Sequence, residues 1–323
     1  MRAFPIAQES LQAKKAIQKY IRETPVERDA FLGDSGGSQV YLKLENLQVT
    51  GSFKIRGALY KMLSLTPSQK KQGVITASSG NHGMAVAYAM KKIGVRGKIV
   101  LPINTSQTKI EALKAACDEV EFYGTDCVET EVFARKEAEQ TKRVYIPPYN
   151  DLKIIGGQGT VGLEILEQVK EMDAVLVPVG GGGLISGVAG VLKSAHPGVA
   201  IIGCQPENSA VMAASIKAGR ILNLTSAPTL SDGTAGGIED GAITFDVCRK
   251  HVDEFLLVSE KDIRNAILHC LQKQHLLVEG AGALAVAAFI KNRKRFQGKT
   301  VVLIISGARI SLDQLRTILS QGV

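Results

Sequence analysis

The chain has no tryptophan and only five cysteines and five histidines among its 323 residues, and each scarcity removes a class of chemistry. Cys117, Cys127, Cys204, Cys248 and Cys270 fall at irregular intervals, with no CxxC pair and no Cys/His ligand spacing. Neither a zinc module nor a disulfide framework is expected, and the thiols read as reduced. No apolar run reaches the about 20 residues that a bilayer span requires. The opening MRAFPIAQESLQAKKAI lacks the apolar stretch of a secretory signal. A cytoplasmic location without membrane contact is therefore the expectation. Lysine and arginine exceed aspartate and glutamate by 39 to 31, a net charge of +8. These basic residues are spread in pairs along helical segments, with no arginine-rich block and no basic strip interleaved with aromatics. Nucleic acid is not an expected partner; a solvated surface that welcomes an anionic small molecule fits better.

What the chain does have is an ordinary globular balance, 45% hydrophobic and 22% charged. Its length suits two domains or one large α/β unit. Short apolar runs predict strands at Gln39–Leu44, Gly73–Ala77, Lys98–Pro102, Glu119–Tyr123, Ala174–Pro178, Val199–Gln205, Glu254–Val258 and Thr300–Ser306. Amphipathic segments between them predict helices at Met84–Lys92, Thr108–Ala116, Cys127–Gln140, Val161–Val169, Lys261–Gln274 and Ala281–Asn292. Such alternation means parallel sheets covered by helices on both faces, with ligands beyond the carboxyl ends of the strands. Residues 71–150 keep their own rhythm until Ile146-Pro147-Pro148-Tyr149-Asn150 interrupts it with rigid backbone. The expected division is a small domain of residues 71–150 and a discontinuous large domain of residues 1–70 and 151–323.

Four glycines, Gly180 to Gly183, follow the apolar run Ala174–Val179 and lead through Leu184 into a small-residue helix. Without Cβ atoms such a loop can turn several N–H groups onto an anion, and the helix N-terminus adds its partial charge. The run lacks the Lys-Ser/Thr ending of a nucleoside-triphosphate loop and the acidic partner of a dinucleotide fingerprint, so the phosphate belongs to something smaller; a flexible turn is the alternative. In Val49-Thr50-Gly51-Ser52-Phe53-Lys54-Ile55-Arg56-Gly57, Thr50 or Ser52 can cap a helix starting near Lys54. A lysine in a first turn loses its proton more easily and can attack a carbonyl, although a surface lysine is the commoner fate. Ala77-Ser78-Ser79-Gly80-Asn81-His82-Gly83 closes a strand and opens a helix, either as a carboxylate site or as a simple cap. Ile155-Gly156-Gly157-Gln158-Gly159-Thr160 reads as a glycine turn before another helix, and Ser306-Gly307 ends a buried strand.

In this order, GSFKIRG, SSGNHG, GQGT, GGGGL and the strand-terminal SG resemble the fold type II pyridoxal-phosphate enzymes, in particular the threonine/serine dehydratase and serine racemase family. The resemblance runs from about Leu32 to the C-terminus. It implies an α/β fold of two doubly wound open-sheet domains, tryptophan synthase β-like, with pyridoxal 5′-phosphate between them. Lys54 would hold the cofactor and act as the base on one face of the substrate Cα. Gly180, Gly181, Gly182, Gly183 and Leu184 would bind the phosphate, Asn81 the ring hydroxyl and Ser306 the pyridine nitrogen. Phe53 would pack near the ring, and Glu279 would stand near the cofactor. Ser78, Ser79, Asn81, His82 and Gly233 would form the substrate pocket. A hydroxyl rather than a carboxylate at the pyridine nitrogen favours expulsion of a β-hydroxyl: L-threonine or L-serine would give a 2-oxo acid and ammonia. A homodimer or larger homo-oligomer is implied as well.

Three departures from the family pattern matter. Gln205 and Val211 replace the Glu and Asp that hold a divalent ion in the metal-dependent branch, leaving Glu207 alone; no metal is expected. Ala308-Arg309 replaces the usual Gly-Asn after Ser306-Gly307, which opens the way to a substrate with an extra carboxylate. Ser79 stands where racemases carry a second base, so serine racemase with side eliminase activity is one alternative. A dehydratase of another β-hydroxy amino acid is a second, and a non-catalytic ligand-binding protein is a third. The sequence ends at Val323, soon after its last predicted helix, so no C-terminal regulatory domain is expected.

Overall fold

The computed structural model describes residues 4–33, 37–125 and 127–320; the side chain of Cys127 and the chain end at Val323 lie outside them. Helix α1 (Ile6–Ile17) precedes β1 (Val26–Arg28), α2 (Ala30–Gly33), β2 (Gln39–Leu44), α3 (Lys54–Leu63) and α4 (Pro67–Gln72). A run of short units follows: β3 (Val74–Ala77), α5 (Asn81–Ile93), β4 (Gly97–Leu101), α6 (Gln107–Lys114), β5 (Glu119–Phe122), α7 (Cys127–Thr141) and β6 (Val144–Tyr145). Helix α8 (Leu152–Gln168) leads into β7 (Ala174–Pro178), α9 (Gly183–Ala195), β8 (Ala200–Pro206), α10 (Val211–Ala218) and α11 (Ile243–His251). The chain closes with β9 (Glu254–Val258), α12 (Glu260–Lys273), α13 (Gly280–Lys291), β10 (Thr300–Ile305) and α14 (Leu312–Ser320).

Two sheets result, one six-stranded in the order β1-β2-β10-β7-β8-β9 and one four-stranded in the order β5-β4-β3-β6. Every expected strand is present to within one residue. The four-stranded sheet is wholly parallel. The larger sheet is not: β1 pairs antiparallel with β2 at its edge, a departure from the all-parallel expectation. Strands β1 and β6 have three and two residues, too short to leave an alternation in the sequence.

The core explains why the strands read as continuous apolar runs. Along β10, Val301, Leu303 and Ile305 pack with α13, while Val302 and Ile304 pack with α8 and α9. Both faces are therefore covered, as a parallel sheet requires. Helix α13 is buried from Gly280 to Phe289 and is apolar all round.

The GQGT block, expected as a turn, instead lies inside α8. Its glycines serve helix packing: a Cβ on Gly157 would stand 2.5 Å from Gly57 Cα and 2.6 Å from the Arg56 carbonyl oxygen. A mid-helix glycine costs about 0.5–1 kcal/mol against alanine; here it permits α3 and α8 to touch at backbone distance. Beside that crossing a fully buried ionic network holds both helices. Arg56 donates to Glu45 Oε2 (2.7 Å) and Oε1 (2.7 Å) and to Glu164 Oε2 (2.8 Å). Lys43 donates to Glu164 (2.6 Å) and the Thr24 carbonyl (2.6 Å). Two cations meet two carboxylates, so no buried charge is left unpaired. Gly157→Ala should lower the unfolding free energy by roughly 1–3 kcal/mol, as measured by chemical denaturation; unchanged stability would mean that the helices part without cost.

Candidate active site

The carboxyl ends of β3, β6, β7 and β10 converge on the loops singled out in the sequence. Lys54 is the first residue of α3, yet neither Thr50 nor Ser52 caps the helix. The N-cap is Phe53 without a side-chain hydrogen bond, and the Thr50 and Ser52 hydroxyls are buried without partners. Backbone contacts position the lysine instead. The Phe53 N–H donates to the Ser306 carbonyl (3.2 Å) and the Ala308 N–H to the Gly51 carbonyl (2.9 Å), stitching GSFK to the end of β10. Lys54 Nζ donates to the Pro148 carbonyl (3.0 Å) and lies 5.4 Å from the centroid of the Phe53 ring. Burial lowers its pKa to about 8, against the opposing charges of Glu131 and Glu279. Desolvation, not the helix dipole invoked from sequence, leads the shift.

Pro148 joins Lys54 to the glycine run. Its neighbour Tyr149 lies flat against it: a Cβ on Gly181 would meet the Tyr149 ring at 2.3 Å, and one on Gly183 its Cβ at 3.0 Å. Gly180 is walled by the Thr234 backbone at 3.0 Å. Gly182 adopts φ 86°, the left-handed turn that starts α9; any side chain there would be strained. Buried Thr244 Oγ1, which has no hydrogen-bond partner, stands 3.4 Å from the Cβ position of Gly182. Side chains cap α4, α8 and α12 (Thr66, Asp151 and Ser259). Helices α5 and α9 begin at Gly80 and Gly182, which have no side chain to do so.

On the other side of the cleft, Asn81 Nδ2 donates to Glu279 Oε1 (2.7 Å), while Asn81 Oδ1 is buried without a partner. Glu279 Oε2 accepts from the Arg309 N–H at 3.0 Å. Burial, then the charge of Asp232, pushes the Glu279 pKa up to about 7; the Asn81 bond and Arg309 oppose this. A Cβ on Gly307 would meet Glu279 Oε1 at 2.3 Å, and one on Gly233 would lie 3.7 Å from the same oxygen. His82 Nε2 lies 3.0 Å from the Ile146 carbonyl. A carbonyl only accepts, so Nε2 carries the proton and Nδ1 is free to accept. Burial and then Lys54 lower the His82 pKa to about 3, keeping the ring neutral. Ser78 and Ser79 are half-buried at the strand-to-helix turn, where the Gly80 N–H donates to Ser78 Oγ (3.2 Å). Ser306 is buried.

The structure thus gathers Lys54, Phe53, the glycine run, Asn81, His82, Gly233, Glu279 and Ser306 at one cleft. Sequence reasoning missed Tyr149, Thr234 and Thr244, which wall the glycines, and half-buried Glu131, whose carboxyl pKa is raised by desolvation. The Pro147-Pro148-Tyr149 run, which the sequence marks as a domain boundary, also supplies the carbonyl and the ring that meet Lys54 and Gly181. Arg309 is half-buried beside Gly51, its Cγ 3.8 Å from the Gly51 Cβ position, with burial lowering its pKa against Glu279. Val211 is buried, and Glu207 pairs with Lys291 at 2.8 Å.

A family model described as "Pyridoxal-phosphate dependent enzyme" matches residues 17–307. An L-threonine ammonia-lyase of Thermotoga maritima is 40% identical over 312 residues, 97% of this chain and 77% of that protein. Among solved structures, the processed threonine deaminase isoform 2 of Solanum lycopersicum superposes with TM-score 0.93 at 35% identity, covering 98% of this chain and 94% of that one. Maize serine racemase superposes with TM-score 0.90 at 34% identity, covering 98% and 97%.

A carboxyl whose folded pKa lies above its unfolded value stabilises most at low pH, and that contribution fades as pH rises through the folded value. For Glu279 the window runs from 4.5 to about 7. The stability of the cofactor-free protein relative to Glu279→Gln should fall by about 3 kcal/mol across that window. Denaturation at several pH values measures this; a pH-independent difference would contradict the assigned burial.

Proposed function

The chain belongs to the pyridoxal-phosphate dependent enzymes, and on that footing we propose that it is a threonine/serine ammonia-lyase, converting L-threonine or L-serine to a 2-oxo acid and ammonia. One observation carries the reading: a Lys54 amine whose pKa is lowered to about 8, tied through Pro148 and Tyr149 to a glycine cradle at the start of α9. The cradle suits pyridoxal 5′-phosphate. A side chain at Gly181 or Gly183 would collide with Tyr149, so only glycine lets this loop pack where it does, and Thr244 Oγ1 and Asn81 Oδ1 are buried polar atoms without partners.

Gly180 to Leu184 would hold the phosphate through backbone N–H groups, Ser306 the pyridine nitrogen and Asn81 the ring hydroxyl, with Phe53 against the ring. Bound there, the cofactor supplies an electron sink for the pair left at Cα. Lys54 Nζ takes the Cα proton; with a pKa of about 8 it is a competent base near neutral pH. The uncapped start of α5, with Ser78 and Ser79, receives the substrate carboxylate. His82 stays neutral and offers Nδ1 as an acceptor. Glu279 fixes Asn81 from the opposite side of the cleft. Residues 71–150 serve as the small domain, and residues 1–70 with 151–323 as the large one. Two separate sheets support that division, although α3 packs in the same core as α5.

Serine racemisation with side elimination is a second reading, favoured by Ser79, which the family resemblance aligns with the second base of racemases, and by the likeness to maize serine racemase. Arg309 keeps an acidic β-hydroxy amino acid within the substrate class. The proposal also includes a homodimer or larger homo-oligomer, which rests on the family resemblance. It includes a cytoplasmic location, which four free buried thiols among the described residues support.

Lys54→Ala should lower turnover at least about a thousandfold while leaving the circular dichroism unchanged. With L-serine the parent should release pyruvate faster than D-serine, resolved by chiral chromatography. D-serine outpacing pyruvate would shift the assignment to racemase, and a fully active Lys54→Ala would overturn both readings.

A further inference from the structure

The glycine run and the helix beside it are joined by one buried carboxamide. Gln205, near the end of β8, is 1% exposed. Its Nε2 donates to the Val179 carbonyl at 3.1 Å, and its Oε1 accepts from the Ala213 N–H at 2.8 Å. Val179 immediately precedes Gly180. Ala213 lies in the first turn of α10, where backbone N–H groups have no partner within the helix. That same turn walls the loop: Met212 Cε stands 2.8 Å from the Cβ position of Gly182. One side chain therefore holds both the carbonyl from which the glycine run departs and the helix turn that limits its width.

The residue type follows from these two bonds. A carboxylate would still accept from Ala213 but would set a negative oxygen against the Val179 carbonyl with no hydrogen between them. A hydrocarbon would leave a buried carbonyl and a helix N–H both unpaired. An amide serves both sides in one protonation state at every pH.

We infer that Gln205 is a positioning residue for the phosphate-binding loop: it fixes where the glycine N–H groups stand and so sets the affinity for the cofactor's phosphate monoester. This rests on the function proposed above, and the experiment separates the two. The cofactor-free full-length protein is titrated with pyridoxal 5′-phosphate and with pyridoxal, which lacks the phosphate, by absorbance. In Gln205→Glu and Gln205→Met, affinity for pyridoxal 5′-phosphate should fall tenfold or more while affinity for pyridoxal changes less than twofold. Retention of pyridoxal 5′-phosphate affinity within twofold, or equal loss of both aldehydes, would overturn the inference and leave the proposed activity intact. A parent protein that takes up neither aldehyde would overturn the proposed function itself, and the inference with it. Should the variants not fold, hydrogen exchange on the parent decides. Pyridoxal 5′-phosphate, but not pyridoxal, should slow Gly180–Leu184 and the first turn of α10 together; slowing of the glycines alone would overturn the inference.

Discussion

An amine kept from water is the constraint on which this site depends. Burying an ammonium without a counter-ion is costly, and the group relieves the cost by giving up its proton. Lys54 has one hydrogen-bond partner, the Pro148 carbonyl, and only distant opposing charge from Glu131 and Glu279. Arg56, two residues along the same helix, is fully buried but grips Glu45 and Glu164 with its whole guanidinium; its pKa is raised, not lowered. Pairing separates the two residues. The paired cation is structural and anchors α3 to the turn after β2 and to α8; the unpaired one is left reactive at the helix start.

The cleft is formed where elements of the two sheets meet, and its polar contacts are few. Asn81 from α5 reaches Glu279 at the start of α13. Arg135 from α7 pairs with Glu239 at 2.7 Å, and Lys109 from α6 with Asp232 at 3.3 Å. The first contact engages the buried Glu279 carboxyl and fixes geometry, while the other two join half-exposed side chains, and screened pairs at the rim add little stability. Gly307 leaves the room that Glu279 occupies. A carboxyl held half-protonated near neutral pH can meet either a hydrogen-bond donor or an acceptor on a bound ring.

Much of this was legible in the sequence because the signals were local. Apolar runs flanked by helical patterns gave every long strand, and Gly180–Gly183 marked a loop-to-helix turn whose φ of 86° at Gly182 requires glycine. What escaped depended on distance or on context. Gly157 looked like a turn because its true neighbours, Gly57 and Arg56, lie about a hundred residues away in the chain. The hydroxyls of Thr50 and Ser52 matched a cap pattern, but backbone bonds from Ser306 and Gly51 already fixed the loop. Tyr149, Thr234 and Thr244 wall the glycines through packing alone, which no spacing encodes. The low pKa of Lys54 was anticipated, but its cause was misassigned, since burial cannot be read from one helix start.

The most direct measurement is borohydride reduction of the protein incubated with pyridoxal 5′-phosphate, followed by peptide mapping across a pH series. The structure predicts a single stable adduct on Lys54, with half-maximal labelling near pH 8. An adduct confined to other lysines, or labelling of Lys54 that waits for the pH at which an exposed lysine deprotonates, would contradict it.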